Sequence, residues 1–233
     1  MTHPPRFQVV SVAEHADRLH EPFTMIDLVA LDDLVLSLYL CQGAMPQHRH
    51  LDQDELFLVY SGTVSLESDW GTAILRPGEL AVAPKGLGHR TSSLLRSTVL
   101  LLQPRLMINR RNGDRRFFAS RDLGRLEKVN VTAVGSQIMV AHTPIILADV
   151  DTCALNLVLC TGVGPWKTTE TYDSLVYCFV GQVDVESEEE IASLHQGELT
   201  HVPKGTVYRL SSAQEALVLQ VLRHRQPNQA LGE

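Results

Sequence analysis

Two histidines two positions apart, a glutamate five further on and a third histidine beyond a proline-glycine turn are the side chains of this sequence best placed to do chemistry together. They stand in Gly43-Ala-Met-Pro-Gln-His48-Arg-His50-Leu-Asp-Gln-Asp-Glu55, followed by Gly62 and by Gly78, Pro84, Gly86 and His89. On an extended strand His48 and His50 project from one face, into the interior if that face is inward. Glu55 lies an odd number of residues beyond His50, so a turn must bring it back, and Leu51-Asp-Gln-Asp54 is polar enough to supply one. His89, after the Pro84-Lys-Gly86 turn, can arrive from a neighbouring strand. Three imidazoles and one carboxylate suit Fe(II), Mn(II), Ni(II), Co(II) or Zn(II), with no thiolate to favour copper(I) or a structural zinc. A six-coordinate ion would keep open positions for water, substrate or dioxygen, and its net positive charge would favour an anionic or enolizable ligand. A single histidine on an apolar strand is more often structural; the complete arrangement carries the metal reading.

The elements that must position these side chains come twice. Shifting the sequence by 119 residues places Leu36, Leu38, Leu40, Cys41, Gly43 and Pro46 on Leu155, Leu157, Leu159, Cys160, Gly162 and Pro165. Over residues 34–100 the ungapped match gives 25 identities in 67 positions. A long period used only twice indicates two homologous domains rather than a solenoid. Each copy reads as short strands rich in Leu, Val and aromatics, punctuated by Gly or Pro. In the first copy these are Leu34–Cys41, Glu55–Tyr60, Thr63–Ser68, Glu79–Ala83 and Thr98–Leu102. Gly62 sits where a hairpin needs a positive φ, and Ala83-Pro-Lys-Gly86 suits a type I turn. The expected fold class is therefore all-β, a sandwich or barrel. Helix is scarce: Ser11-Val-Ala-Glu14 resembles a capping box for a helix over 12–19, and residues 120–127 could hold another turn or two.

The ligand pattern resembles the two motifs of the cupin superfamily. The first runs from Gly43 through His48, His50 and Glu55 to Gly62, and the second from Gly78 through Pro84, Gly86 and His89 to Ser93. Gly43 precedes His48 by one residue fewer than the usual spacing, and Ser93 stands where the motif has Asn; neither departure touches a ligand position. The resemblance implies a double-stranded β-helix, or jelly-roll, barrel with His48, His50, Glu55 and His89 as metal ligands inside it. With the repeat it implies a bicupin of two tandem barrels with few short helices. Residues 1–110 would form the N-terminal metal-binding barrel and residues 111–233 a C-terminal barrel without the ligands. The positions 119 beyond the four ligands hold Lys167, Thr169, Ser174 and Tyr208, a poor divalent metal site. With Trp166 and Tyr172, these side chains read as barrel filling rather than a second pocket. Asp54 and Asp173, Lys85 and Lys204, and Arg90 and Arg209 persist in both copies and are expected to serve turns or strand pairing.

Composition narrows the partners. Twenty basic against 27 acidic side chains give a net charge of −7, which argues against a large nucleic-acid footprint. No apolar stretch approaches the roughly 20 residues of a membrane-spanning helix, and the first residues lead into a polar segment rather than a secretory signal. The expectation is a cytoplasmic protein whose four cysteines, without CxxC spacing, are packing residues. The join at 105–125 holds seven arginines and two aspartates and reads as a solvated connection, with an anion- or partner-binding patch as the alternative.

The leading functional reading is a dioxygenase-like oxidoreductase holding one divalent transition metal, Fe favoured, and acting on a small anionic or enolic substrate chelated to it. Gln47, Phe57 and Thr91 are the candidates for substrate binding, with Tyr39 and Gln103 on nearby strands. The alternatives are a non-redox metal-dependent isomerase or lyase on a sugar or keto acid, and a non-catalytic metabolite-binding bicupin. A homodimer is expected because cupins commonly pair.

Overall fold

The leucine-rich runs that dominate the sequence become central strands buried on both faces, and that double burial explains how the molecule is built. A computed structural model describes residues 7–105, 110–112, 124–169 and 171–223. In the first half they form β1 (Val9–Ser11), α1 (Val12–Asp17), β2 (Met25–Leu31), β3 (Leu34–Ala44), β4 (His48–His50), β5 (Glu55–Ser61), β6 (Val64–Ser68), β7 (Gly71–Leu75), β8 (Glu79–Ala83), β9 (His89–Pro104) and β10 (Arg110–Asn112). In the second half follow β11 (Lys128–Asn130), α2 (Val131–Gly135), β12 (Ile145–Val150), β13 (Cys153–Val163), β14 (Lys167–Thr168), β15 (Ser174–Val180), β16 (Gln182–Ser187), β17 (Ile191–His195), β18 (Glu198–Val202) and β19 (Val207–Arg223). All five strands expected in the first copy are present.

The strands fold into two antiparallel barrel-shaped sheets. In the front barrel the long, bent β9 is the spine. It pairs with β3 (Leu36 opposite Leu102), with β5 (Phe57 opposite Leu101), with β6 (Leu66 opposite Thr91) and, at its first residue, with β4 (His48 opposite His89). In the back barrel β19 takes the same place in the same register: Leu155 faces Val221 and Lys167 faces Tyr208, each position 119 beyond its front counterpart.

Because side chains alternate along a strand, each central strand divides its residues between two cores. Tyr39, Cys41, Phe57, Val59, Val99 and Leu101 fill the front barrel. Leu36, Leu38, Leu56, Leu58, Leu100 and Leu102 face the other way and pack with Leu155, Leu157, Leu175, Tyr177, Leu219 and Val221 of the back barrel in one shared core. The barrels are thus stacked sheet on sheet.

Each half also lends a strand to the other. β1 pairs with β18 in the back sheet, Val10 opposite Leu199, and β11 pairs with β8 in the front sheet, Val129 opposite Leu80. A short helix follows each lent strand. Ser11 caps α1 by accepting from the Glu14 N–H, and Asn130 caps α2 by accepting from the Ala133 N–H. The first helix matches its expected start. Residues 124–127 form no helix, Gly124 having φ +64°, and residues 120–123 lie outside the described ones. The second helix stands instead at 131–135, where the repeat places it.

A pair of aspartates fastens the junction symmetrically. Asp151, in the turn before β13, donates its N–H to Asp54 Oδ2 at 3.1 Å and accepts the Asp54 N–H at 3.1 Å. Asp32, its counterpart before β3, accepts the Asp173 N–H at 2.9 Å. Both adopt positive φ, 50° and 51°. Lys85 and Lys204 approach the opposite aspartates at 3.6 and 3.9 Å. The aspartates and lysines that the two copies share therefore clasp one barrel to the other. No helix among the described residues is long and apolar enough to cross a membrane.

Candidate metal centre

The front barrel presents the four proposed ligands from the ends of three strands. His48 and His50 lie on β4, with Arg49 between them aimed the other way, Glu55 opens β5 and His89 opens β9. The Pro84–Leu87 turn joins them. Gly86 donates its N–H to the His50 carbonyl at 2.6 Å, Lys85 donates its N–H to Asp54 Oδ1 at 2.8 Å, and Leu87 closes the turn onto the Pro84 carbonyl at 3.1 Å. One turn thus fixes the end of β4, the residue before Glu55 and the approach to His89. Gly86, at φ +81°, permits it.

All four side chains are buried, and their ligand atoms lie within 4.8 Å of one another, the one such group among the described residues. The Nε2 atoms of His89, His50 and His48 stand 2.8, 3.1 and 4.0 Å from Glu55 Oε2. Burial alone would raise the Glu55 pKa, but the His50 and His89 imidazoles beside it outweigh that and hold it well below the ordinary carboxylate range. The carboxyl is an anion.

The outer ring nitrogens fix what the inner ones can do. His48 Nδ1 lies 3.0 Å from the Pro46 carbonyl, and His89 Nδ1 3.0 Å from the Leu87 carbonyl. A carbonyl only accepts, so each Nδ1 carries a proton, and each ring presents its Nε2 to Glu55. Nitrogens converging on an anionic oxygen in a buried site require positive charge among them, a proton or a cation. Imidazole donors held by carbonyls in this way are the usual outer support of a metal ligand. The residues present fit a divalent ion held by three nitrogens and one oxygen.

A cavity of about 260 Å³ opens beside the cluster, lined by Met25, Tyr39, Met45, Phe57, Thr91, Leu101 and Gln103 as well as the four ligand residues. Phe57 meets the His89 ring edge-on at 5.9 Å between centroids. Tyr39 donates its hydroxyl to Thr91 Oγ1 at 3.1 Å, and Gln103 reaches Met25 Sδ at 3.6 Å. Of the candidates read from the sequence, Phe57 and Thr91 line the cavity, as do Tyr39 and Gln103. Gln47 does not: its amide turns to Asp69 Oδ1 at 3.4 Å. Met25 and Met45 escaped the sequence reading, since neither has a spacing that marks it. The only structural signal for Met25 is the β2 hairpin, and its Met25-Ile-Asp-Leu-Val-Ala-Leu run contains no Gly or Pro.

The equivalent interior of the back barrel is occupied by protein. Lys167 donates to Gln220 Oε1 at 2.8 Å and lies 5.0 Å from the centroid of the Tyr208 ring, while Gln220 Nε2 donates to the Tyr208 oxygen at 3.1 Å. Thr169 and Ser174 donate to the Pro203 and Val221 carbonyls. Burial pulls the Lys167 pKa down to about 8. The cysteines are free and buried, and desolvation pushes Cys153 and Cys160 up to about 12 and Cys41 and Cys178 to about 11.

Residues 39–99, which carry all four of these ligand positions, match the family model of the cupin domain, Cupin_2. The fold extends the likeness to both halves. A cupin 2 conserved barrel domain protein from Leptotrichia buccalis superposes with a TM-score of 0.69 at 8% identity, covering 93% of this chain and 96% of that one. The front barrel thus carries a cupin domain, and the two-barrel fold is consistent with a bicupin. Salicylate 1,2-dioxygenase from Pseudaminobacter salicylatoxidans superposes on this chain with a TM-score of 0.70 at 12% identity, covering 94% and 85% of the two chains. Its adduct with gentisate gives 0.69 at 13% identity over 94% and 82%. At such identities the likeness carries the fold and not the reaction. The "Uncharacterized protein YdbB" of Bacillus subtilis (strain 168) is 29% identical to this chain over 96 residues, 41% of this chain and 82% of that protein.

Proposed function

We propose that the front barrel holds one divalent transition metal through His48, His50, Glu55 and His89, and that the protein uses it for dioxygenase-like chemistry on a small anionic or enolic substrate. The observation that carries the reading is the pair of imidazoles, His48 and His89, each donating outward to a carbonyl and turning its other nitrogen toward the buried Glu55 carboxylate. A bound ion, Fe(II) favoured, would supply Lewis acidity and, if redox-active, a path for oxygen chemistry. The chain supplies the rest. The buried Phe57 and Leu101 keep water from the ligand side of the cavity, Met25 and Met45 form the more exposed part of its wall, and Tyr39, Thr91 and Gln103 offer the polar contacts that orient a substrate. A cavity of about 260 Å³ limits that substrate to a small molecule. The fold shared with salicylate 1,2-dioxygenase and with its gentisate adduct makes small hydroxy acids the first compounds to try.

The test is metal analysis by ICP-MS after anaerobic Fe(II) loading, followed by oxygen uptake with salicylate, gentisate and related acids. About one transition-metal ion per chain, lost on His50→Ala or His89→Ala, is the expected result. Absence of stoichiometric metal in the loaded wild type would overturn the metal reading, and turnover without oxygen consumption would overturn the oxygenase reading alone.

A further inference from the structure

This inference rests on the metal reading above and concerns what else in the cavity meets the bound anion. Thr91 follows His89 by two residues on β9, so both side chains leave the strand on the same face. Both are buried, at 2% and 1% exposure, and both line the cavity. A threonine hydroxyl has one proton to give and lone pairs to accept with. Tyr39, 1% exposed, already uses the accepting side by donating its own hydroxyl to Thr91 Oγ1 at 3.1 Å. Burial keeps that phenol protonated, because its pKa is pushed well above its ordinary value. The Thr91 proton is then directed elsewhere. The Cys41 thiol also lies against Thr91, but a thiol sulfur is a weak acceptor. Met25, Met45, Phe57 and Leu101, which form much of the remaining wall, offer nothing stronger.

We infer that Thr91 donates a hydrogen bond to the anion occupying the open positions beside the four ligands, and that Tyr39 is the residue that positions it. An acceptor bearing negative charge in an apolar, buried cavity is the partner such a donor favours, since charge-assisted hydrogen bonds strengthen where water is excluded. The ligand chemistry is thereby narrowed: one of its metal-proximal oxygens or nitrogens must accept from Thr91 while the rest packs against thioethers and rings.

The experiment uses the full chain loaded with Co(II), azide as the anion probe and the visible cobalt spectrum as readout. Thr91→Val keeps the size and shape of the side chain, and is expected to hold about one cobalt per chain with an unchanged spectrum before azide is added. Its azide affinity should fall roughly tenfold or more, the loss expected for one hydrogen bond to a charged group. Thr91→Ser should restore it. Tyr39→Phe should weaken azide in the wild-type background and have no effect in the Thr91→Val background, because Tyr39 acts through Thr91. Unchanged azide affinity in Thr91→Val, or no recovery in Thr91→Ser, overturns the inference while leaving the metal reading intact. Failure of the wild type to hold cobalt overturns both.

Discussion

His48 and His89 each commit one ring nitrogen to the carbonyl two residues before it in the chain, Pro46 and Leu87. The commitment is local: each bond spans two residues, so any backbone that reaches the turn sets the tautomer with it. Glu55→Gln keeps the size of the side chain and removes the anion. It should lower metal affinity by at least tenfold without unfolding the chain, read by competition with a chromogenic chelator. A second prediction concerns Lys167 in the back barrel. Its pKa falls from 10.5 to about 8 in the folded state. Between those values the unfolded chain keeps a proton that the folded chain has released, so stability should rise with pH from about 8 to 10.5. Plotting the difference in urea midpoint between wild type and Lys167→Met against pH should recover that rise; a flat difference would remove Lys167 as its source. The four residues of the cluster were legible because a metal-ligand set has characteristic residue types and spacings. Met25 and Met45 were not, because a wall residue need only be apolar and of suitable length, a condition many positions meet. Gln47 was read from its adjacency to His48; it precedes β4, and its amide reaches Asp69 rather than the cavity.

At the level of strands, the continuous leucine runs gave the right elements, and their meaning lies in what covers each face. A run with no polar alternation is the mark of a strand buried on both sides. β3, β5 and β9 satisfy it by filling the front barrel with one set of residues and the shared core with the other. The hairpin of β2 and β3 was not read, because the sequence offers Asp32-Asp33 where a glycine signal was sought; Asp32 takes φ 50° itself and puts its carboxylate to use across the junction. The β5–β6 hairpin follows the expected rule, with Gly62 at φ +82°. A Cβ there would fall 2.8 Å from Ser97 Cα, a backbone atom that cannot step aside. Gly62→Ala should therefore cost roughly 3 kcal/mol from strain and overpacking together, measured by urea unfolding. A loss below about 1 kcal/mol would mean that the hairpin relaxes more easily than its packing indicates.

For the molecule as a whole, the repeat was legible over 34–100 because identities are dense there. Its extension to β1 and α1, and to β11 and α2, was hidden. Only a few residues match in those segments, among them Val10 with Val129 and Val12 with Val131, and a strand's sequence states which face is apolar but not which sheet will receive its edge. The exchange and the shared core predict that the barrels unfold together. The two tryptophans allow a direct check, since Trp70 belongs to the front half and Trp166 to the back. Trp70→Phe leaves a reporter of one barrel and Trp166→Phe a reporter of the other, and their fluorescence midpoints in urea should coincide. Separate midpoints would show that the shared core does not couple the halves.

The back barrel carries none of the four residues of the front cluster at the equivalent positions. Here its opening strand seals the flank of β8, which in turn braces the strand that begins with Glu55. Losing the back barrel would lay bare an edge of the front one, so the integrity of the front cluster leans on a partner that contributes no residue to it.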